Sequence, residues 1–150
     1  MKNIFNLFLA SILLFSVLSC QEDNSLPISQ DQLLRSGKWQ LKEIIKVSGN
    51  IREADKLLAC ERQSTLDFSD VKNYNSIMYR TENGNCLEEK TSGTYVYNTS
   101  KTSRSLKMET KDKNLEYYVK QLDPQFLILQ DTLGKGDERK LRLQVFEIIK

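Results

Sequence analysis

Apolar residues follow two patterns along this chain, and the change between them divides it. From Ile4 to Ser19 the residues are apolar apart from Asn6, Ser11, Ser16 and Ser19, with no charge among them. From Trp39 onward the apolar positions recur every second residue, the mark of strands with one buried face. The first such run sets Trp39, Leu41, Ile45 and Val47 against Lys38, Gln40, Lys42 and Lys46, with Glu43 and Ile44 as the exceptions. Between the two patterns lies one short helical signal. Ser29 is placed to cap it, Gln32 stands where a capping box needs it, Leu33 and Leu34 supply the apolar anchors, and Gly37 ends it.

Ser48-Gly49-Asn50 breaks the first strand, and Ile51 to Ala59 then predicts a short helix or ordered loop with Leu57 and Leu58 inward. Further strands are predicted over Ser64 to Ser69, Asn75 to Thr81, Gly93 to Asn98, Ser103 to Thr110, Leu115 to Leu122, Gln125 to Asp131 and Arg139 to Ile149. Turn formers separate them, among them Asn83-Gly84 and Asp123-Pro124. Leu115, Tyr117 and Val119 share a face opposite Tyr118 and Leu122. In the last strand Leu141, Leu143 and Val145 have one parity and Phe146 and Ile148 the other, which predicts a bulge there.

Eight strands joined by short turns imply antiparallel neighbours. An all-β, eight-stranded antiparallel up-and-down barrel, with a short N-terminal helical turn, removes its own edges; a two-sheet sandwich has the same periodicity. The length suits one domain, placed at residues 31–150.

Lys2 ahead of the apolar block and Val17-Leu18-Ser19-Cys20 at its end have the layout of a secretory signal. The block is shorter than the roughly 20 residues that cross a bilayer. It resembles a bacterial lipoprotein signal, which is cleaved before a cysteine carrying diacylglycerol. That resemblance implies a signal over residues 1–19, lipidation at Cys20, a tether over residues 20–30, and a membrane partner held through the covalent lipid. Glu22 and Asp23 resemble the surface-export signal of Bacteroidetes lipoproteins, a solvated acidic linker being the other reading. The expected location is the outer membrane, lipid-anchored, with the cell surface as the face the acidic pair suggests.

With Cys20 taken by the lipid, Cys60 and Cys86 remain, and a cysteine pair in an exported chain usually oxidises. A zinc site is disfavoured because the chain has no histidine and no CxxC. The 22 basic and 20 acidic residues leave a net charge of +2, too little to steer a nucleic acid. Without histidine, Ser/His and Cys/His catalysis is excluded. No catalytic residue, metal or cofactor is expected, and the chain does not read as an enzyme.

Gly37-Lys38-Trp39, opening the first strand after a helical turn, resembles the G-x-W signature of lipocalins. The series extends further: Leu33 and Leu34 before it, Cys60 four residues before Ser64-Thr65-Leu66-Asp67-Phe68, Cys86 after an Asn-Gly turn, then Ser92-Gly93-Thr94-Tyr95. That order resembles the lipocalin-like lipoproteins of Bacteroidetes over Gln32 to Lys150. The resemblance implies an up-and-down barrel closed at its base by the Trp39 indole and a disulfide between Cys60 and Cys86. It also implies a basic residue over the indole, for which Arg139 and Arg142 are the candidates.

Two functional classes follow. The first is a tethered binding protein for a small apolar or amphipathic molecule. Tyr95, Tyr97 and Tyr117 are its candidate ligand-lining residues, each with an apolar body and a polar tip. Glu43 joins them because it shares its parity with Leu41 and Ile45; a solvated place at the barrel mouth is its other reading. The second class is a plugged barrel that serves as a surface interaction module for a protein or glycan. A cavity favours the first, and a filled interior with an exposed aromatic patch favours the second.

Overall fold

The computed structural model describes residues 29–100, 103–134 and 140–149. The signal and tether positions up to residue 28, Cys20 included, and Arg139 lie outside the described residues. Ser29 caps α1 (Gln30–Leu34) through a complete capping box. Its hydroxyl accepts from the Gln32 amide at 3.2 Å, and the Gln32 side chain accepts from the Ser29 amide at 3.1 Å. Leu33 and Leu34 turn inward, and the chain passes through Gly37, whose lack of a side chain leaves room for Ile148, into β1 (Lys38–Ser48).

The strands that follow are β2 (Ile51–Ala54), β3 (Thr65–Asp67), β4 (Asn73–Glu82), β5 (Asn85–Thr99), β6 (Arg104–Glu109), β7 (Asn114–Leu122), β8 (Phe126–Leu133) and β9 (Lys140–Ile149). From β3 to β9 each strand pairs antiparallel with the next, and β9 closes the ring on β1. β2 and β3 share one place in that ring. β2 pairs with residues 45–48 of β1, and β3 with residues 38–40. The result is a closed eight-stranded antiparallel barrel with one interrupted strand.

The interruption corrects the expectation of a helix or loop from residue 51. Gly49, at φ 59°, takes the first position of a two-residue hairpin, so the chain folds straight back onto β1 as β2. Leu57 is half-buried, but Leu58 is exposed. The segment beyond β2, which includes a 3-10 turn (Glu61–Gln63), fills the gap between β1 and β4. The Tyr79 amide donates to the Ser64 hydroxyl at 2.9 Å, the Thr81 amide donates to the Glu61 carboxylate at 3.2 Å, and the Leu41 amide donates to the Ser64 carbonyl at 2.9 Å. A disulfide joins Cys60 in this segment to Cys86 near the start of β5. β5 itself begins at Asn85, well before Gly93. The Asn83-Gly84 turn, with both residues at positive φ, pairs Glu82 directly with Asn85.

The bulge expected in the last strand lies in its neighbour. Gln144, Phe146 and Ile148 keep one inward parity along β9, while the register of β1 shifts between Leu41 and Glu43 and leaves Lys42 unpaired. A second register shift, at Lys120 in β7, brings Leu122 to the inside, away from the face of Tyr118.

Aromatic side chains fill the interior at the α1 end. Trp39 is fully buried there, and its indole N–H donates to the Leu34 carbonyl at 2.8 Å. Phe68 packs edge-on against Tyr95 with centroids 5.0 Å apart and tilts against Tyr74 at 6.2 Å. The Tyr95 hydroxyl donates to the Asp70 carbonyl at 3.0 Å. Arg142 does not cover the indole. Strand register sets it beside Lys46 and Asp131, toward the opposite end of the barrel, where it forms a two-pronged ion pair with the Asp131 carboxylate.

Candidate ligand cavity

Above this aromatic base the interior is not filled. A cavity of about 190 Å³ lies between the inner faces of β3 to β9. Leu66, Met78, Met108 and Leu129 form its apolar wall, and Tyr74, Ser76, Tyr117 and Gln144 bring polar atoms to it. It reaches the barrel end opposite α1, where the β6–β7 turn comes beside β5. There the Lys113 ammonium and the Glu89 carboxylate sit 3.5 Å apart at the rim. Both are more than half exposed, so their contact adds little stability.

The local sequence explains why an aromatic ring spans this space. Tyr74, Ser76 and Met78 alternate along the inner face of β4, and the residue directly opposite Tyr74 on β5 is Gly93. A methyl group at Gly93 would overlap the Glu109 carbonyl oxygen and press on the Tyr74 ring. The missing side chain is what lets β6 close on β5 and lets the ring lie across the glycine.

Tyr74 is 1% exposed, yet its hydroxyl has no hydrogen-bond partner. Burial, followed by the Tyr117 phenol facing it, pushes the Tyr74 phenol above its ordinary value. Burial also pushes Tyr117 up, helped by the Asp131 carboxylate, while Arg142 and Gln144 pull the other way. Arg142 is itself held more firmly protonated by its bond to Asp131. The cavity therefore presents neutral hydroxyls and one amide, and the charges nearest it among the described residues are paired, Arg142 with Asp131 and Lys113 with Glu89.

Of the residues singled out from the sequence, Tyr117 lines this cavity. Tyr95 is part of the aromatic base, and Tyr97 is half-buried against the core, off the cavity wall. Glu43 is a correction. Residues directly opposite each other in a ladder share a face, so the register shift at Lys42 places Glu43 with Val145 on the outside, and Ile44 takes the inward place opposite Gln144. Glu43 is no anchor for a ligand inside the barrel. Tyr74, Ser76 and Gln144 were not legible as site residues, because the continuous Ile77-Met78-Tyr79 run hides the parity of β4. Carrying the Asn83-Gly84 hairpin register back along the strand would have found the first two. Among the described residues no cluster of histidine, cysteine or carboxylate side chains is placed to hold a metal.

Comparison with known proteins gives a match to the family described as the lipocalin-like domain over residues 36–129. Among solved structures, the chain is similar to a lipocalin-like protein from Bacteroides uniformis. The two share 15% identity and a TM-score of 0.45, covering 77% of this chain and 99% of that one. None of the curated proteins matches it.

Proposed function

We propose that this chain, which belongs to the lipocalin-like domain family, is a binding protein that holds one small, largely apolar molecule inside its barrel while a lipid on Cys20 anchors it to the outer membrane. The observation that carries the reading is the cavity itself. It has apolar walls, a small set of convergent polar groups, a closed aromatic base and an entrance at the far end, which is the usual build of a small-molecule site. Its volume of about 190 Å³ exceeds the roughly 150 Å³ that holds a benzene in a dry engineered cavity.

The anchor reading rests on the Val17-Leu18-Ser19-Cys20 pattern. α1 lies at the closed end of the barrel, so a tether attached there holds the base toward the membrane and leaves the entrance at the far end. The acidic pair Glu22 and Asp23 favours the cell-surface face.

Native mass spectrometry of the gently purified mature protein, with Cys20→Ser to keep it unlipidated, tests the binding reading. An added mass that disappears on denaturation is expected. A clean mass that stays clean after incubation with a mixed lipid and small-molecule extract would overturn it in favour of an interaction module. For the anchor, Cys20→Ala should move the protein from the membrane fraction to the soluble fraction, and retention in the membrane would refute it.

A further inference from the structure

Resting on the binding reading above, we propose that the ligand is an uncharged molecule about the size of a single substituted ring, carrying an oxygen acceptor that takes a hydrogen bond from the Tyr74 hydroxyl. A buried hydroxyl without a partner costs free energy in the empty protein, and it persists in folded chains where something else satisfies it. Tyr74 is such a group. It is almost wholly inaccessible, it lines the cavity, and its hydroxyl is unbonded. Tyr95 spends its hydroxyl on the Asp70 carbonyl; Tyr97 also has a buried hydroxyl without a partner, but it lies off the cavity wall, which leaves Tyr74 as the unbonded phenol that lines the cavity.

The surroundings narrow the class of ligand further. Tyr117, Ser76 and Gln144 reach the same cavity from three other directions, each able to accept as well as donate, so the oxygen end of a ligand has a polar pole to enter. Among the described residues no unpaired charge lines that pole. Arg142 is committed to Asp131, and Lys113 stands against Glu89 at the rim. A carboxylate or ammonium would give up its water for neutral dipoles alone, which is unfavourable. The remaining wall of Leu66, Met78, Met108 and Leu129 suits a hydrocarbon body, and the two methionines adapt to its outline.

Isothermal titration of the mature Cys20→Ser protein with acetophenone, ethylbenzene and benzoate separates these terms, since the three share a ring and differ at the polar end. Acetophenone should bind about tenfold more tightly than ethylbenzene, the size expected of one well-formed hydrogen bond, and benzoate should bind least. In Tyr74→Phe, acetophenone should fall to the level of ethylbenzene while ethylbenzene keeps its affinity, which also shows that the variant is folded. Equal binding of acetophenone and ethylbenzene by the parent protein would overturn the assigned ligand class and leave the cavity reading standing. So would benzoate binding as well as acetophenone. A preference that survives Tyr74→Phe would overturn the role of Tyr74. If none of the three binds, the ligand class and the cavity reading fall together.

Discussion

Tyr74→Phe should stabilise the ligand-free barrel, against the usual direction for a buried tyrosine. The substitution keeps the ring that packs on Phe68 and lies over Gly93, and it removes only the hydroxyl, which has no partner in the folded chain. Leaving a buried polar group unsatisfied costs about 1–3 kcal/mol. Deleting one oxygen enlarges the adjoining cavity by about 10 Å³, which at roughly 24 cal/mol per Å³ costs about 0.2 kcal/mol. The net expectation is a gain of about 1 kcal/mol. Tyr95→Phe is the matched control, because it deletes a hydroxyl that does donate, to the Asp70 carbonyl at 3.0 Å, and it should lose about 1 kcal/mol. Urea unfolding of the parent and both variants, compared at unchanged m-value, gives the two differences directly. The variants should shift the midpoint in opposite directions. If Tyr74→Phe loses as much stability as Tyr95→Phe, the Tyr74 hydroxyl is already bonded in the empty protein, and the argument from an unmet donor is refuted.

Other consequences can be measured on the same protein. Cys60→Ser with Cys86→Ser opens a loop with a sequence separation of 26, and should cost about 3.5 kcal/mol in the chain-entropy treatment; a loss below about 1 kcal/mol in urea unfolding would show that the 3-10 segment is held by its hydrogen bonds alone. Gly93→Ala must separate β5 from the Glu109 carbonyl or displace Tyr74, and should cost about 1–3 kcal/mol, read as a lower thermal midpoint; an unchanged midpoint would contradict the packing. Asp70 has its carboxyl held below the ordinary range by the backbone N–H groups of Lys72 and Asn73, and Asp123 by the Gln121 side chain and the backbone N–H groups of Gln125 and Phe126. For groups lowered in this way the stabilisation is present above the ordinary carboxylate pKa and is lost as pH falls through the lowered value. Asp70→Asn with Asp123→Asn should therefore flatten the acid side of the stability profile and leave the slope near neutral pH unchanged.

How far the sequence discloses this molecule depends on whether a feature is local. The α1 capping box, the Asn83-Gly84 turn and the Asp123-Pro124 turn are set by neighbours within four residues, and all three form where the residue types require. Alternation finds the strands for the same reason, since one strand's parity needs no knowledge of its partner, but it does not separate a barrel from a two-sheet sandwich. Bulges are different. A bulge belongs to a pair of strands, and the apolar change of parity from Val145 to Phe146 does not locate one, because β9 alternates throughout and carries Leu141, Leu143 and Val145 on its outer face. The bulge of this pair lies in β1 at Lys42, and that single residue turns Glu43 out of the barrel and Ile44 into it. The short β2 is invisible for a related reason, because its four residues are all exposed and carry no apolar stripe.

The interior aromatics differ in how their polar atoms are treated. The Trp39 N–H and the Tyr95 hydroxyl find backbone carbonyls, whereas the buried hydroxyls of Tyr74 and Tyr97 find no partner. One strand pair further along, Tyr74 touches the same Phe68 yet leaves its hydroxyl free beside the cavity. Packing alone would favour phenylalanine at that position, since the ring makes all of its apolar contacts without the oxygen. A tyrosine there accepts a loss of stability that the fold does not need, and under the proposed binding role a ligand acceptor offsets that loss. The closed base makes this tolerable, because Trp39, Phe68 and Tyr95 pack the strands together at α1 while the opposite end stays hollow enough to be entered.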